Sequence, residues 1–181
     1  MNNIFFTSDT HFRHAKILEY EPGRPGETIR EHDEILIERW NEVVKPGDSV
    51  YHLGDFLFGS GRRCTDYVQN YLKRLNGQVH LIIGNHDGKA VRKGNWASVS
   101  DIKSIQVEGQ RLVLCHYSMV VWRKSHWGAW QLYGHSHGNL EENPNRLSTD
   151  VGVDCWDYWP VSLEQIRPIM DAKERVSVDH H

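Results

Sequence analysis

The chain has 181 residues, enough for one domain over 1–181 to bury a core without disulfides or structural zinc. Its 21 Lys and Arg nearly balance its 24 Asp and Glu, which excludes an overall charge that attracts nucleic acid or a membrane surface. The sequence predicts a cytoplasmic protein, because its three Cys show no C-x-x-C spacing. It contains neither a signal-peptide pattern nor a run of about 18 apolar residues, so no membrane segment is predicted.

The predicted strands are short apolar runs rich in β-forming residues. In chain order they cover residues 4–6, 50–53, 79–83, 112–115 and 131–133. Residues 98–107, followed by a turn at 108–110, add the pattern of an antiparallel hairpin. Because these runs are apolar, they are interpreted as buried strands.

Two helices are predicted between these strands. Thr28 and Glu31 form a capping box at the start of an amphipathic helix over 28–44. A second helix covers 64–75 and ends at an Asn-Gly stop signal, while several Pro and Gly residues make 19–27 an irregular loop. Strands that alternate with helices indicate an α/β fold with a mixed sheet.

Histidine is unusually frequent, with 12 residues in the chain. His180 and His181 lie at the end, where they are either native or the remnant of a tag, and they are set aside. His52 and His80 fall inside predicted strands and are interpreted as core residues, whereas His32 on the first helix is interpreted as a surface residue. The three Cys are interpreted as buried small residues. The evidence for a functional site therefore comes from the polar residues that follow the predicted strands.

Nearly every predicted strand stops at an Asp, Asn or His. The motifs are Asp9-Thr10-His11, Gly54-Asp55, Gly84-Asn85-His86-Asp87, Cys115-His116 and Gly134-His135-Ser136-His137. Because ligands bind at the carboxyl ends of strands in open α/β sheets, these segments are expected to converge on one site. Any one of them alone is more simply a turn, but five such motifs together favour a common site.

The residue types at these positions indicate a metal site. The predicted ligands are Asp9, His11, Asp55, Asn85, His116, His135 and His137. Such a mixed oxygen and nitrogen set is typical of Mn, Fe or Zn rather than Mg or Ca; Mn is favoured, and Fe, Zn and Ni stay open. Seven ligands exceed what one catalytic metal needs, but they suit two divalent ions about 3.5–4 Å apart that share a carboxylate, for which we select Asp55. A bridged pair favours hydrolysis of a phosphate ester by a metal-bound hydroxide.

The motifs D-x-H, G-D, G-N-H-D, a lone H and G-H-x-H, in this order, resemble those of the calcineurin-like metallophosphoesterases. The short length and the tail over 150–161 look like the small bacterial and phage branch, which lacks large cap domains. The resemblance implies a four-layer αββα sandwich, in which two mixed β-sheets are flanked by helices. It divides the ligands into two groups that share Asp55: Asp9, His11 and His137, and Asn85, His116 and His135. It also implies that His86 protonates the leaving oxygen, with Asp87 as its orienting partner.

Two segments are candidates for substrate contacts. Arg13 and His14 directly follow the first motif, where Arg13 is either a phosphate contact or an exposed residue at the start of a helix. Residues 119–130 lie between the last two motifs and include Trp122 and Arg123. Aromatic and cationic side chains favour a nucleotide or nucleic-acid end as substrate, although the Trp residues equally suit a core or a dimer surface.

The sequence therefore favours a metal-dependent phosphoesterase that acts on a phosphodiester or phosphomonoester of a small molecule or nucleotide. A phosphoprotein phosphatase ranks lower, because so small a chain has little room for a peptide groove. The alternative outside catalysis is a protein-binding scaffold of the same fold, and it is disfavoured because every ligand position holds a competent residue. The oligomeric state is left open.

Overall fold

The computed structural model describes residues 2–176 and 178, so that His180 and His181 lie outside the described residues. The described strands are, in chain order, β1 (Ile4–Thr7), β2 (Ser49–His52), β3 (Gln78–Ile82), β4 (Ser98–Ser100), β5 (Ile102–Val107), β6 (Gln110–Cys115), β7 (Trp130–Tyr133), β8 (Ser148–Asp150) and β9 (Val161–Ser162). The described α-helices are α1 (Ile17–Tyr20), α2 (Ile29–Val43), α3 (Arg62–Arg74), α4 (Lys89–Arg92) and α5 (Leu163–Asp171). All five predicted strands and both predicted helices are present, with small shifts at their ends.

The strands form two mixed sheets. The first has the order β4-β3-β2-β1-β9, in which β1 to β4 run parallel and β9 pairs antiparallel with β1. The second has the order β5-β6-β7-β8, in which the predicted hairpin forms the antiparallel pair β5 and β6, and the remaining pairs are parallel. This arrangement, with the helices, is the sandwich that the motifs imply.

The helices begin where the sequence provides caps. In α2 the Thr28 hydroxyl accepts the Glu31 N–H, and the Glu31 carboxylate accepts the Thr28 N–H, which confirms the predicted capping box. Helix α5, which was not predicted, begins with the same motif at Ser162 and Gln165. None of the helices over the described residues has the length and apolar character that crossing a membrane requires.

Two main hydrophobic clusters hold the layers together. One lies between the first sheet and α2 and α3, and contains Phe5, Val50 and Trp40. The other joins the inner faces of the two sheets and contains Leu53 and Leu132. Their side chains are almost completely removed from water, and each contributes about 1.5–3 kcal/mol relative to an exposed position.

Two minor predictions about burial are wrong. His32 is fully buried rather than on the surface, because the irregular loop before α2 folds over it, and its Nδ1 lies 3.1 Å from the carbonyl oxygen of Pro25. Cys155 is exposed, whereas Cys64 and Cys115 are buried as expected. The predictions for His52 and His80 fit their positions in β2 and β3, where His52 is buried and His80 is half-buried against Tyr51.

Candidate metal centre

The seven predicted ligands meet at one end of the sandwich, where strands of both sheets terminate. Their side chains follow β1, β2, β3, β6 and β7. Two groups have ligand atoms within 4.8 Å of one another: Asp9, His11 and His137, and Asp55, His116 and His135. Asn85 completes the second group, because its Oδ1 lies 2.9 Å from His116 Nε2. The fold therefore contains two adjacent candidate metal sites.

Asp55 lies between the two groups. Its Oδ2 is 3.7 Å from Nε2 of His11 in the first group and 3.5 Å from Nε2 of His116 in the second. The same oxygen is 4.0 Å from Nε2 of His86. One carboxylate oxygen is thus within reach of both groups, which is the position a shared ligand needs.

Both carboxylates use one oxygen to hold a neighbouring loop and direct the other towards the site. Asp55 Oδ1 accepts the backbone N–H of His86 at 2.8 Å, and Asp9 Oδ2 accepts that of His135 at 2.8 Å. These bonds fix the carboxylate planes, since each uses a different atom from the one that faces the imidazoles. The loops after β3 and β7 are therefore positioned by ligands from β1 and β2.

The ligand loops have an unusual backbone. Five of the seven ligands, namely Asp9, His11, Asp55, His135 and His137, have positive φ angles between 47° and 69°. This left-handed region costs non-glycine residues free energy, and such strain concentrates at functional sites. The glycines before the motifs allow close approach, since a Cβ on Gly134 would lie 2.5 Å from Asp9 Oδ2 and one on Gly84 2.3 Å from Asp55 Oδ1.

Several polar atoms in the site have lone pairs but no donor. Asp9 Oδ1 and His11 Nε2 are buried and have no hydrogen-bond partner among the residues that the structure describes. His116 Nδ1 lies 2.7 Å from the Leu53 carbonyl oxygen, which only accepts, so that the Nε2 of a neutral His116 faces Asn85 Oδ1 as a second acceptor. A divalent cation between these two atoms would take both of them as ligands. The donor set therefore fits divalent metal ions.

Burial shifts the pKa values of Asp9 and His11, two members of the first group, towards neutral side chains. Removal from water raises the pKa of Asp9 to about 8, and the nearby Asp55 carboxylate adds to the effect although His137 opposes it. Removal from water, together with the Arg24 guanidinium, lowers the pKa of His11 well below its usual range. Asp9 and His11 therefore favour their neutral forms unless a cation is bound.

Replacement of Asp9 tests whether a bound cation neutralises this carboxylate. We expect Asp9→Asn to leave the thermal stability of the metal-free protein unchanged or higher, because a neutral amide replaces a buried carboxylate. Addition of Mn²⁺ to about 100 times its Kd should stabilise the wild type by about 2.7 kcal/mol per site and the variant by clearly less. Differential scanning calorimetry measures both. Asp66→Asn, on the exposed face of α3, is the control, and an equal response of all three proteins to Mn²⁺ would contradict the prediction.

A buried ion pair between Arg24 and Asp154 contacts His137 on the side of its ring that faces away from Asp9. Its Nδ1 lies 2.7 Å from Asp154 Oδ2, and Arg24 binds both oxygens of Asp154, at 2.8 Å through Nε and 2.6 Å through Nη2. Arg24 also donates to the backbone carbonyls of Asp9 and Thr10. Burial alone lowers the pKa of His137, but the Asp154 hydrogen bond and the Asp9 carboxylate outweigh it, so that the pKa is raised. This pair orients the His137 ring with Nε2 towards Asp9, as supporting carboxylates do in metal sites.

Asp154→Asn is expected to weaken Mn²⁺ binding by the first group roughly 10- to 100-fold, because such supporting contacts have effects of that size. The amide keeps the shape of the carboxylate, so the fold should persist. Isothermal titration calorimetry resolves the affinity, and Asp157→Asn, on a nearby exposed residue, is the matched control. Unchanged affinity would show that Asp154 has a structural role alone.

The predicted role of Asp87 is wrong. Its Oδ2 accepts the N–H groups of Gly84 and Asp55, at 2.8 and 2.9 Å, and its Oδ1 accepts that of Phe56 at 3.0 Å. Both oxygens are therefore occupied by backbone donors rather than by the His86 imidazole. Asp87 joins the loop after β3 to the loop after β2, and it positions Asp55 instead of His86.

A cavity of about 510 Å³ opens over the two groups. His86 lies in its wall with 44% of its side chain exposed, and His14 lines it beside the His11 ring, at a centroid distance of 5.3 Å. Arg13 is not among the lining residues, because its guanidinium stacks on the Tyr67 ring at 3.7 Å. The structure therefore places Arg13 outside the lining of this cavity, and Lys16 supplies a cation in its wall.

The segment 119–130 does not reach the metal centre, contrary to prediction. Because β6 and β7 are parallel, the chain must return from the carboxyl end of β6 to the amino end of β7. Gly128 accordingly lies beside Gln110, at the start of β6. Trp122 is buried on the outer face of the second sheet, and its indole N–H donates to Ala129.

Arg123 is also outside the metal-site cavity. It lines a separate cavity of about 330 Å³ beside β5 and β6, together with Arg111 and Lys124. Neither of the residues predicted from this segment, Trp122 or Arg123, is positioned to contact a substrate at the ligands. Sequence spacing between two ligands does not keep a segment near them when the intervening chain must cross the sheet.

Comparison with known proteins agrees with this geometry. Residues 2–149 match the calcineurin-like phosphoesterase superfamily domain. An uncharacterized protein of Methanocaldococcus jannaschii is 34% identical over 94% of this chain and 93% of its own. The gene 66 protein of Mycobacterium phage D29 is 29% identical over 96% and 98% of the two chains.

A solved structure of similar size shows the same fold. It is a protein of unknown function from Aquifex aeolicus, with a TM-score of 0.72 at 24% identity, and the match covers 93% of this chain and 100% of that chain. The relatives are small proteins of archaeal and phage origin that match over nearly their whole length. On the domain match, this chain belongs to the calcineurin-like phosphoesterase superfamily, whose members are generally metal-dependent phosphoesterases.

Proposed function

We propose that the protein is a phosphoesterase that uses two divalent metal ions to hydrolyse a phosphodiester or phosphomonoester. The observation that supports this most directly is the position of Asp55 Oδ2, 3.7 Å from His11 Nε2 and 3.5 Å from His116 Nε2. Asp9, His11 and His137 would hold one ion, and Asn85, His116 and His135 the other, with Asp55 shared. Mn²⁺ is the favoured metal because the donors are oxygen and nitrogen without thiolate.

When bound, the two ions would supply positive charge to the phosphate oxygens and lower the pKa of a coordinated water. The reaction adds the oxygen of water to phosphorus and breaks the bond to the leaving oxygen, which must gain a proton. His86 is the residue of the chain that we assign to this step. Its Nε2 is 4.0 Å from Asp55 Oδ2, and its ring faces the cavity rather than the core. A positioned imidazolium can give its proton to the leaving oxygen as a general acid.

The cavity favours a small phosphate ester. Its volume of about 510 Å³ lies within the usual range for small-molecule sites, and residues 119–130 supply no nucleic-acid surface next to it. A long polyanion is also disfavoured by the net charge of −3. A phosphoprotein phosphatase stays less favoured because a chain of 181 residues has little room for a peptide groove.

Metal content and hydrolysis together test the proposal. The purified protein should bind about two Mn²⁺ per chain and hydrolyse bis-p-nitrophenyl phosphate or p-nitrophenyl phosphate when Mn²⁺ is supplied. Chelation should abolish turnover and readdition should restore it. A folded protein that binds no divalent metal and hydrolyses neither ester would exclude the phosphoesterase and favour the scaffold.

A further inference from the structure

Three aromatic rings line one side of the cavity over the metal centre. His14 and Phe58 are stacked with ring centroids 4.2 Å apart and an angle of 15° between their planes, and Tyr20 meets His14 edge-on at 6.1 Å. Of these, Phe58 remains 46% exposed and Tyr20 61% exposed. Large apolar rings left open in a cavity indicate a binding surface when other observations support one.

The remaining groups on this side are polar. Lys16 and Glu21 line the same cavity and offer one hydrogen-bond donor group and one acceptor group next to the rings. His14 is about nine-tenths buried, and its Nδ1 has no hydrogen-bond partner within the described part of the chain. Flat rings bordered by donors and acceptors suit a planar heterocycle with polar edges better than an alkyl chain.

The aromatic side lies close to the ligands. The ring centroids of Phe58 and His86 are 6.2 Å apart, and those of His14 and His11 5.3 Å apart. A group attached to a phosphate at the metal centre therefore needs to extend by only a few atoms to reach Phe58. A pentose between phosphate and base provides such an extension.

We infer that Phe58 and Tyr20 form the binding surface for the base of a nucleoside phosphate ester whose phosphate lies at the metal centre. The base would continue the stack of His14 and Phe58, with Tyr20 at its side. This inference rests on the proposed function, since it places the phosphate at the seven ligands. It assigns base recognition to residues that differ from the segment around Trp122.

Two small molecules that differ only by the base measure the contribution of this surface to binding. In the presence of Mn²⁺, adenosine 5′-monophosphate should bind the wild type about 5- to 150-fold more tightly than ribose 5-phosphate, because base–aromatic stacking contributes about 1–3 kcal/mol. Phe58→Ala should bring the two affinities within about twofold of each other, and Tyr20→Ala should reduce the ratio in part. Isothermal titration calorimetry gives both affinities, and released phosphate is measured so that only intact ligand is counted.

Two further variants keep the result interpretable. Trp127→Ala removes a ring that is 62% exposed but outside this cavity, and it should leave the ratio unchanged. Phe58→Leu keeps an apolar side chain against His14 but loses the flat face, so it should behave like Phe58→Ala.

Equal affinities of the two ligands for the wild type, a ratio that survives Phe58→Ala, or binding of neither ligand would overturn the inference. Hydrolysis of p-nitrophenyl esters is measured separately. An active enzyme that does not distinguish the ligands would retain the proposed function and lose the base surface.

Discussion

Asp55→Asn is expected to reduce kcat/KM for a phosphate ester by roughly 10³-fold or more, because a shared anionic ligand stabilises transition-state charge by several kcal/mol and about 1.4 kcal/mol corresponds to a tenfold change in rate. The amide keeps the size of the side chain and an oxygen for the His86 N–H, which Asp55 Oδ1 accepts at 2.8 Å. What it removes is the negative charge between His11 and His116.

Metal content separates this effect from misfolding. The variant should retain the circular dichroism spectrum of the wild type and bind less Mn²⁺, because both groups lose the oxygen that lies 3.7 and 3.5 Å from their imidazoles. Asp66→Asn on α3 controls for removal of a carboxylate elsewhere. Near wild-type turnover by Asp55→Asn with two metals bound would exclude the shared-ligand assignment.

The convergence of the seven predicted ligands could be predicted because its sequence signal is local. A strand of this fold ends at a polar residue, and strands β1, β2 and β3 are parallel neighbours, so that Asp9, Asp55 and Asn85 must emerge at one edge. The capping box at Thr28 is a similarly local signal, with all its partners within four residues. Short stretches of sequence determine these features.

Other features depend on contacts between distant parts of the chain. Arg24 and Asp154 are 130 residues apart, and the loop composition around Arg24 marks only a turn. His32 was predicted to be exposed because helix periodicity cannot register the loop that covers it. Trp122 was predicted at the site because spacing along the chain does not reveal that β6 and β7 are parallel. Each error arises where a long-range pairing, rather than local pattern, sets the environment.

Removal of the His86 imidazole is expected to slow hydrolysis without emptying the metal sites. His86 belongs to neither group of ligand atoms, and its backbone N–H, which binds Asp55 Oδ1, is unaffected by substitution of the side chain. His86→Gln and His86→Ala should therefore bind as much Mn²⁺ as the wild type. Their kcat should fall roughly 10²- to 10⁴-fold, the usual contribution of a general acid.

The size of the loss should depend on the leaving group. A phenyl ester releases an oxygen with a pKa near that of tyrosine, about 10, whereas p-nitrophenolate is far more stable and gains less from protonation. We expect His86→Gln to slow the phenyl ester more than the p-nitrophenyl ester, and His126→Gln, on the short 3-10 helix away from the cavity, to slow neither. An equal loss for both esters would assign His86 to phosphate binding instead of proton transfer, because a phosphate contact acts on both substrates alike.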